Sequence, residues 1–219
     1  MLVVDRSKTI LNIAKEGYPW ILTLSFLTLL VFALGWEWVS GLFALFTLAF
    51  VGFFRDPERI PPMGEGLVLS PADGRVVGIK EVEKGKLLEE GGTRVSIFLS
   101  PLDVHVNRAP IKGLVEKVQY RPGRFFAAYR DKASHENEQN AMRIVDSTGR
   151  SLSIVQIAGV LARRIICYVK EGETLERGQR LGLIMFGSRV DLFLPQGSRV
   201  EVTEGQRVRG GETIIGRLL

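Results

Sequence analysis

Sulfur and imidazole are scarce in this chain, and each shortage removes a class of chemistry. One cysteine, Cys167, permits no internal disulfide and no cysteine-ligated metal cluster. The two histidines, His105 and His135, are too few for a multi-histidine metal site, so no metal is expected. Neither an aromatic-basic platform nor a recognition helix is present, and nucleic acid is not an expected partner despite the formal charge of +5. Charge is also nearly missing from one long region. In residues 19 to 54, "PWILTLSFLTLLVFALGWEWVSGLFALFTLAFVGFF", Glu37 is the single charged side chain.

That apolar segment breaks near Glu37 into two pieces of about 16 residues, short against the ~20 that span a bilayer as a helix. A secretory signal fits poorly, because no small-residue cleavage site follows the first piece and a second apolar piece does. The pattern predicts an N-terminal hydrophobic helical hairpin over residues 1–54, either a tight membrane hairpin or a shallow re-entrant anchor. The bland alternative is a hairpin buried within a soluble protein. Trp20, Trp36 and Trp38 stand near the ends of the pieces, where interface-seeking side chains belong. Arg6, Lys8 and Lys15 precede the segment, and Arg55 and Arg59 follow it. A hairpin returns to its starting side, which the positive-inside tendency makes cytoplasmic, so the expected location is the cell membrane with the following domain on its cytoplasmic face. The stretch "RDPERIPPMGEG" then ends the apolar run with charge, proline and glycine. Charges before residue 55 cancel, so the domain from 55 to 219 holds the whole +5, which suits anionic headgroups.

That domain reads as mostly β. "GLVLSPADGRVVGIKEV" predicts a strand, a Pro-Ala-Asp-Gly turn and a second strand. "TRVSIFLSPLDVHVNRAPIKGLVEKVQY" predicts at least two more, and "SLSIVQIAGVLARRIICYV" alternates like long strands. A short repeat relates "VKEGETLERGQRLG" to "VTEGQRVRGGETII", matching Gly172 with Gly205, Leu175 with Val208, Gly178 with Gly211 and Leu181 with Ile214. Two copies do not make a solenoid. They predict a duplicated β-sandwich or barrel-like hybrid whose halves are related by a pseudo-twofold.

At the junction of the copies, "RLGLIMFGSRVDLFLP" places Gly187 and Ser188 between two apolar strand-like stretches. Taken locally, the pair is a turn or bulge. Asp73 in "SPADG" is a turn former that needs no further role. "LSPLDVHVNRAP" sets Asp103, His105 and Asn107 at period two, on one strand face, where His105 is either a packed strand residue or a titrating group. "HENEQNAMRI" shows neither strand nor helix periodicity and reads as a loop. "GRFFAAYRDKAS" mixes Phe125, Phe126 and Tyr129 with Arg124, Arg130 and Lys132, a rim suited to lipid and phosphate.

Together "FFRDPER", "SPADGRV", "IFLSPLDVHVNRAP", "PGRFFAAYRDKASHENEQN", "QIAGVLARRI", "ERGQRLGLIMFGSRVDLFLP" and "GETIIG" resemble, in order and spacing, the short (type A) phosphatidylserine decarboxylase proenzymes, a pyruvoyl-dependent family. The resemblance runs from about Arg55 to Leu219, behind a hydrophobic anchor of the family's kind. It implies self-cleavage between Gly187 and Ser188 into chains 1–187 and 188–219, which stay associated. Ser188 then becomes a covalent pyruvoyl group, the cofactor, which condenses with the substrate amine and takes up the electrons freed by decarboxylation. The implied substrate is an anionic serine phospholipid in a membrane, with acyl-ester or isoprenoid-ether tails, and homo-oligomers are compatible with it. The resemblance puts His105 and Asp73 near the cleavage site as catalytic residues. Longer members carry D-x-H-x-x-H; the second histidine is here Arg108. Either His105 serves both stages or Asp73 activates Ser188. Two rivals are a non-catalytic membrane-anchored β-sandwich adaptor, which leaves Gly187-Ser188 without a reason, and a metallopeptidase-like duplicated β-domain, which lacks ligands.

Overall fold

The structure is a computed structural model that describes residues 12–85, 87–88, 90–125, 136–159, 164–185 and 187–219. The chain divides into two compact units, one ending at Glu58 and one running from Arg59 to Leu219.

In the first unit a 3-10 turn at Lys15–Gly17 leads into α1 (Tyr18–Ala33), and a short turn leads into α2 (Glu37–Phe53). Glu37, the lone charge of the segment, is the first residue of α2, where a carboxylate opposes the positive end of the helix dipole. The two helices form a hairpin. Trp20 and Phe50 lie with ring centroids 5.9 Å apart, and the Ala14 N–H donates to the Phe54 carbonyl at 2.8 Å to close the base. Nothing in α1 is buried, because it is apolar all round and meets a single partner. Residues Lys15–Ala33 make one helical stretch of 19 residues, apolar and long enough to cross a membrane; α2 is shorter.

Among the described residues the second unit holds fourteen short strands: β1 (Leu67–Leu69), β2 (Gly74–Val82), β3 (Gly92–Leu99), β4 (Val106–Arg108), β5 (Gly113–Arg121), β6 (Gln139–Val145), β7 (Ser151–Ile157), β8 (Ile165–Cys167), β9 (Thr174–Leu175), β10 (Arg180–Ile184), β11 (Ser188–Pro195), β12 (Arg199–Val200), β13 (Arg207–Val208) and β14 (Ile214–Arg217). Eight of them form an antiparallel sheet in the order β13-β2-β3-β11-β7-β6-β5-β9. Two three-stranded sheets, β4-β10-β8 and β1-β14-β12, complete the fold. Val76, Val95, Ile97, Met142, Ile144, Ile154, Val190 and Leu192 of the large sheet share one core with Ala109, Leu181 and Ile184 of the small ones. On the opposite face of the large sheet, Val155, Ile157 and Phe193 pack against Leu88. Consequently β11 is buried on both faces, its second half apolar and its first half burying Ser188 and the Arg189–Asp191 ion pair.

The duplication is visible in hydrogen bonds. Gly172 N–H donates to the Val115 carbonyl at 2.8 Å and Gly205 N–H to the Val76 carbonyl at 2.8 Å. Gly178 N–H reaches Ala109 as Gly211 N–H reaches Ser70, both at 2.8 Å. Where the halves meet, Leu69 N–H donates to Pro110 at 2.9 Å and Arg108 N–H to Pro71 at 2.8 Å, a reciprocal pair across the pseudo-twofold.

Two expectations need correction. The polar stretch read as a loop contains β6, whose burial alternates residue by residue; its inward positions include Asn140, which erased the hydrophobic signal. Likewise Asp103, His105 and Asn107 do not share a strand face. Asp103 lies in a turn, with Ser100 N–H and Oγ donating to its carboxylate at 2.8 and 2.7 Å, and β4 begins only at Val106. A short polar side chain that can cap its own turn competes with strand pairing there.

Candidate active site

Strand register defines the site. Arg75, Phe98, Arg189, Ile157 and Gln139 form one cross-strand row through β2, β3, β11, β7 and β6. One residue outward, at the rim, Ser188 pairs with Leu99. β10 ends at Ile184 and the chain reaches this rim through Gly187, whose φ is +61°. No heavy atom lies within 4 Å of where a Gly187 Cβ would stand, so the left-handed backbone rather than crowding calls for glycine. Ser188 is wholly buried, on the same face of β11 as Val190 and Leu192. Among the described residues its Oγ has no hydrogen-bond partner. A buried hydroxyl left this way costs about 1–3 kcal/mol, which makes it a candidate for chemistry rather than for packing.

His105 is also fully buried. Its Nδ1 faces the Asp103 carbonyl at 2.9 Å. A carbonyl only accepts, so Nδ1 carries a proton, which leaves Nε2 as the nitrogen able to take up or give one. The backbone places this ring at the end of β4 nearest the junction, since Leu183 pairs with Val106 and Ile184 N–H donates to the His105 carbonyl at 3.4 Å. Two residues further in, a strut of buried amides ties the sheets together. Asn140 Nδ2 donates to Gln156 Oε1 at 3.0 Å, and Gln156 Nε2 donates to Asn107 Oδ1 at 2.8 Å. Gln156 is paired with Val190, two residues beyond Ser188, and Asn107 stands two beyond His105. The strut therefore sets β4 against β11 with His105 and Ser188 toward the same end of the core.

Asp73 sits in the turn just before β2, a strand that lies two strands from β11. Two strand spacings are about 10 Å, a gap that two side chains, or one and a water, can close. Its carboxylate is held from outside its own turn: Arg59 donates to Oδ2 at 2.9 Å and Gly210 N–H to Oδ1 at 2.7 Å. Burial pushes its pKa above the usual 3.8, against the pull of Arg59 and Gly210, and Asp103 adds to the rise. Arg59 also reaches Glu212 Oε2 at 2.8 Å. Arg108 is buried and donates to the Gly178 carbonyl at 3.1 Å. The structure thus gathers Ser188, His105 and Asp73 at one end of the core. It adds residues that lie within the quoted motifs but were given no role from the sequence: Arg59, Glu212, Gln156 and Asn140, and the buried Arg189–Asp191 pair at 2.9 Å beside Ser188. Of the aromatic-basic rim, Arg124 and Phe125 are exposed, while Phe126, Tyr129, Arg130, Lys132 and His135 lie outside the described residues.

Comparison with known proteins now bears on these positions. Residues 46–216 match the family described as Phosphatidylserine decarboxylase. A phosphatidylserine decarboxylase proenzyme of Syntrophus aciditrophicus (strain SB) is 45% identical over 205 residues, 93% of this chain and 96% of the relative. One of Magnetococcus marinus is 47% identical over 208 residues, 94% and 95% respectively, and one of Gluconacetobacter diazotrophicus is 53% identical over 182 residues, 82% and 80%. A family match through both halves of the duplication and nearly full-length relatives lead to one conclusion: the chain belongs to the phosphatidylserine decarboxylase family.

Proposed function

We propose that this enzyme decarboxylates a serine phospholipid to the ethanolamine phospholipid, using a pyruvoyl group that the chain makes from its own Ser188. The observation that carries the reading is a buried Ser188 hydroxyl, without a partner among the described residues, directly after a left-handed Gly187, in a member of this family. Ser188 Oγ attacks the Gly187 carbonyl carbon, and the C–N bond breaks to leave an ester and a free amine. Elimination across Cα–Cβ expels the Gly187 carboxylate, and the resulting enamine takes up water and loses ammonia. The residues fit the group, since the carbons of Ser188 become its ketone and its methyl, and the surrounding strands bury it. A pyruvoyl group supplies the electron sink for the carbanion left when carbon dioxide departs. His105 holds the proton that the substrate carbon receives, and Asp73 accepts the proton leaving Ser188 during cleavage.

Residues 1–54 serve as the membrane anchor and 55–219 as the catalytic domain on the cytoplasmic face. The apolar exterior of the hairpin and the basic residues at its ends support this placement. Ester- and ether-tailed lipids share the headgroup that the chemistry requires. Chains 1–187 and 188–219 stay together because β11 is paired with β3 on one side and β7 on the other. Intact mass under denaturing conditions is the test. The expected result is two chains divided between Gly187 and Ser188, with the smaller one refractory to Edman degradation. A single uncut chain that still releases carbon dioxide from the lipid would overturn the mechanism.

A further inference from the structure

We propose that Arg59 is a positioning residue for self-cleavage: its guanidinium fork fixes the Asp73 carboxylate in the ionised form that can accept the Ser188 proton. The proposal rests on the reading of Asp73 given above and extends it to a residue that the sequence analysis gave no part in the chemistry. Arg59 precedes β1, yet its side chain is only 9% exposed and spans two carboxylates, Asp73 Oδ2 at 2.9 Å and Glu212 Oε2 at 2.8 Å. The remaining oxygen of Asp73 takes the Gly210 N–H at 2.7 Å, so the carboxylate is oriented by two groups drawn from two distant segments.

Charge explains why such a clamp is needed. Asp73 is largely withdrawn from water, and burial favours its neutral form, which cannot accept a proton. Asp103 adds like charge from the turn after β3, its own carboxylate partly countered by Arg207 at 3.7 Å. Glu212 stands between Arg59 and Arg209, which approaches it at 4.0 Å. Buried Arg108 packs its aliphatic stem near Gly211 and directs its head to the Gly178 carbonyl. Among these groups Arg59 is the cation in direct contact with Asp73. Its planar fork can hold both carboxylates at once, which a lysine cannot reproduce.

The sign follows. Removing Arg59 takes away an influence that lowers the Asp73 pKa, so the neutral form persists to higher pH. Cleavage, which requires the ionised form, is then lost from the acid side of a higher pH window. The experiment is cell-free synthesis of the full chain in detergent, with pulse-labelled proenzyme followed on gels across a pH series for wild type, Arg59→Gln, Arg59→Lys, Asp73→Asn and Glu212→Gln. Arg59→Gln is expected to cut at least about tenfold more slowly at neutral pH, with its acid limb moved up by about one pH unit or more and recovery on the alkaline side. Arg59→Lys should fall between it and wild type, and Glu212→Gln should still cut, since Arg59 continues to hold Asp73. A merely structural Arg59 would slow cutting equally at all pH, and that result overturns the proposal. So does an Arg59→Gln profile that coincides with wild type while Asp73→Asn stays uncut. Wild-type cutting by Asp73→Asn would instead remove Asp73 from the mechanism, and the role of Arg59 with it.

Discussion

Ser188, His105 and Asp73 occupy three different local environments, and each environment suits a different moment of the chemistry. Ser188 is buried without a partner among the described residues, His105 has its tautomer set by a carbonyl, and Asp73 is clamped by a cation. Replacing His105 by alanine should leave turnover reduced about 10²- to 10⁴-fold in whatever fraction has been cut, the usual size of an acid-base contribution. Asp73→Asn should mainly stall the proenzyme. A gel for chain separation, read beside carbon dioxide released per pyruvoyl group, separates the two. Full processing and wild-type turnover by His105→Ala would make the histidine a packing residue. These three positions were singled out in the sequence by the family resemblance, because short motifs carry them. Arg59 was not, because an ion pair between a segment before β1 and a turn before β2 leaves no spacing to read.

At the scale of elements, the amide strut is the feature with the most leverage. Asn140, Gln156 and Asn107 come from β6, β7 and β4, and all three are buried. Leucine at Gln156 would strip hydrogen bonds from both neighbours, and each buried amide left unsatisfied costs about 1–3 kcal/mol. Gln156→Leu should therefore lower the melting temperature and slow self-cleavage together, since the register of β4 against β11 loosens. Asn107→Leu combined with Gln156→Leu should recover much of the stability while cleavage stays slow. Equal recovery of both would show that the strut stabilises without aligning. The same polar ladder is what hid β6: inward asparagine broke the alternation that announces a half-buried strand. By contrast β2, β3, β7, β10 and β11 were plain, because most of their inward residues are aliphatic, Gln156 and Ser188 being exceptions.

Across the whole molecule, the chain separates into an apolar hairpin and a duplicated β domain, both foreseeable from hydropathy and from the glycine-matched repeat. The pseudo-twofold itself was only half legible. Its C-terminal copies share glycines, but the partner segments around Pro71 and Pro110 are related chiefly by backbone hydrogen bonds, which any residue can make. A chain lacking residues 1–54 should still cut itself and should partition less into membranes than the full chain. Loss of cutting by a truncated protein that remains folded would give the hairpin a part in the chemistry.

The position of β11 between β3 and β7 carries a further consequence. As one chain, the protein returns from denaturation by a search within itself, whatever the concentration. If the junction at Ser188 is severed as proposed, the middle of the sheet would belong to a separate polypeptide, and recovery would become an encounter between two molecules. The serine would then have been spent, with no way to regenerate it. Maturation would in that sense run like a ratchet, trading a reversible fold for one that persists only as long as it never comes apart.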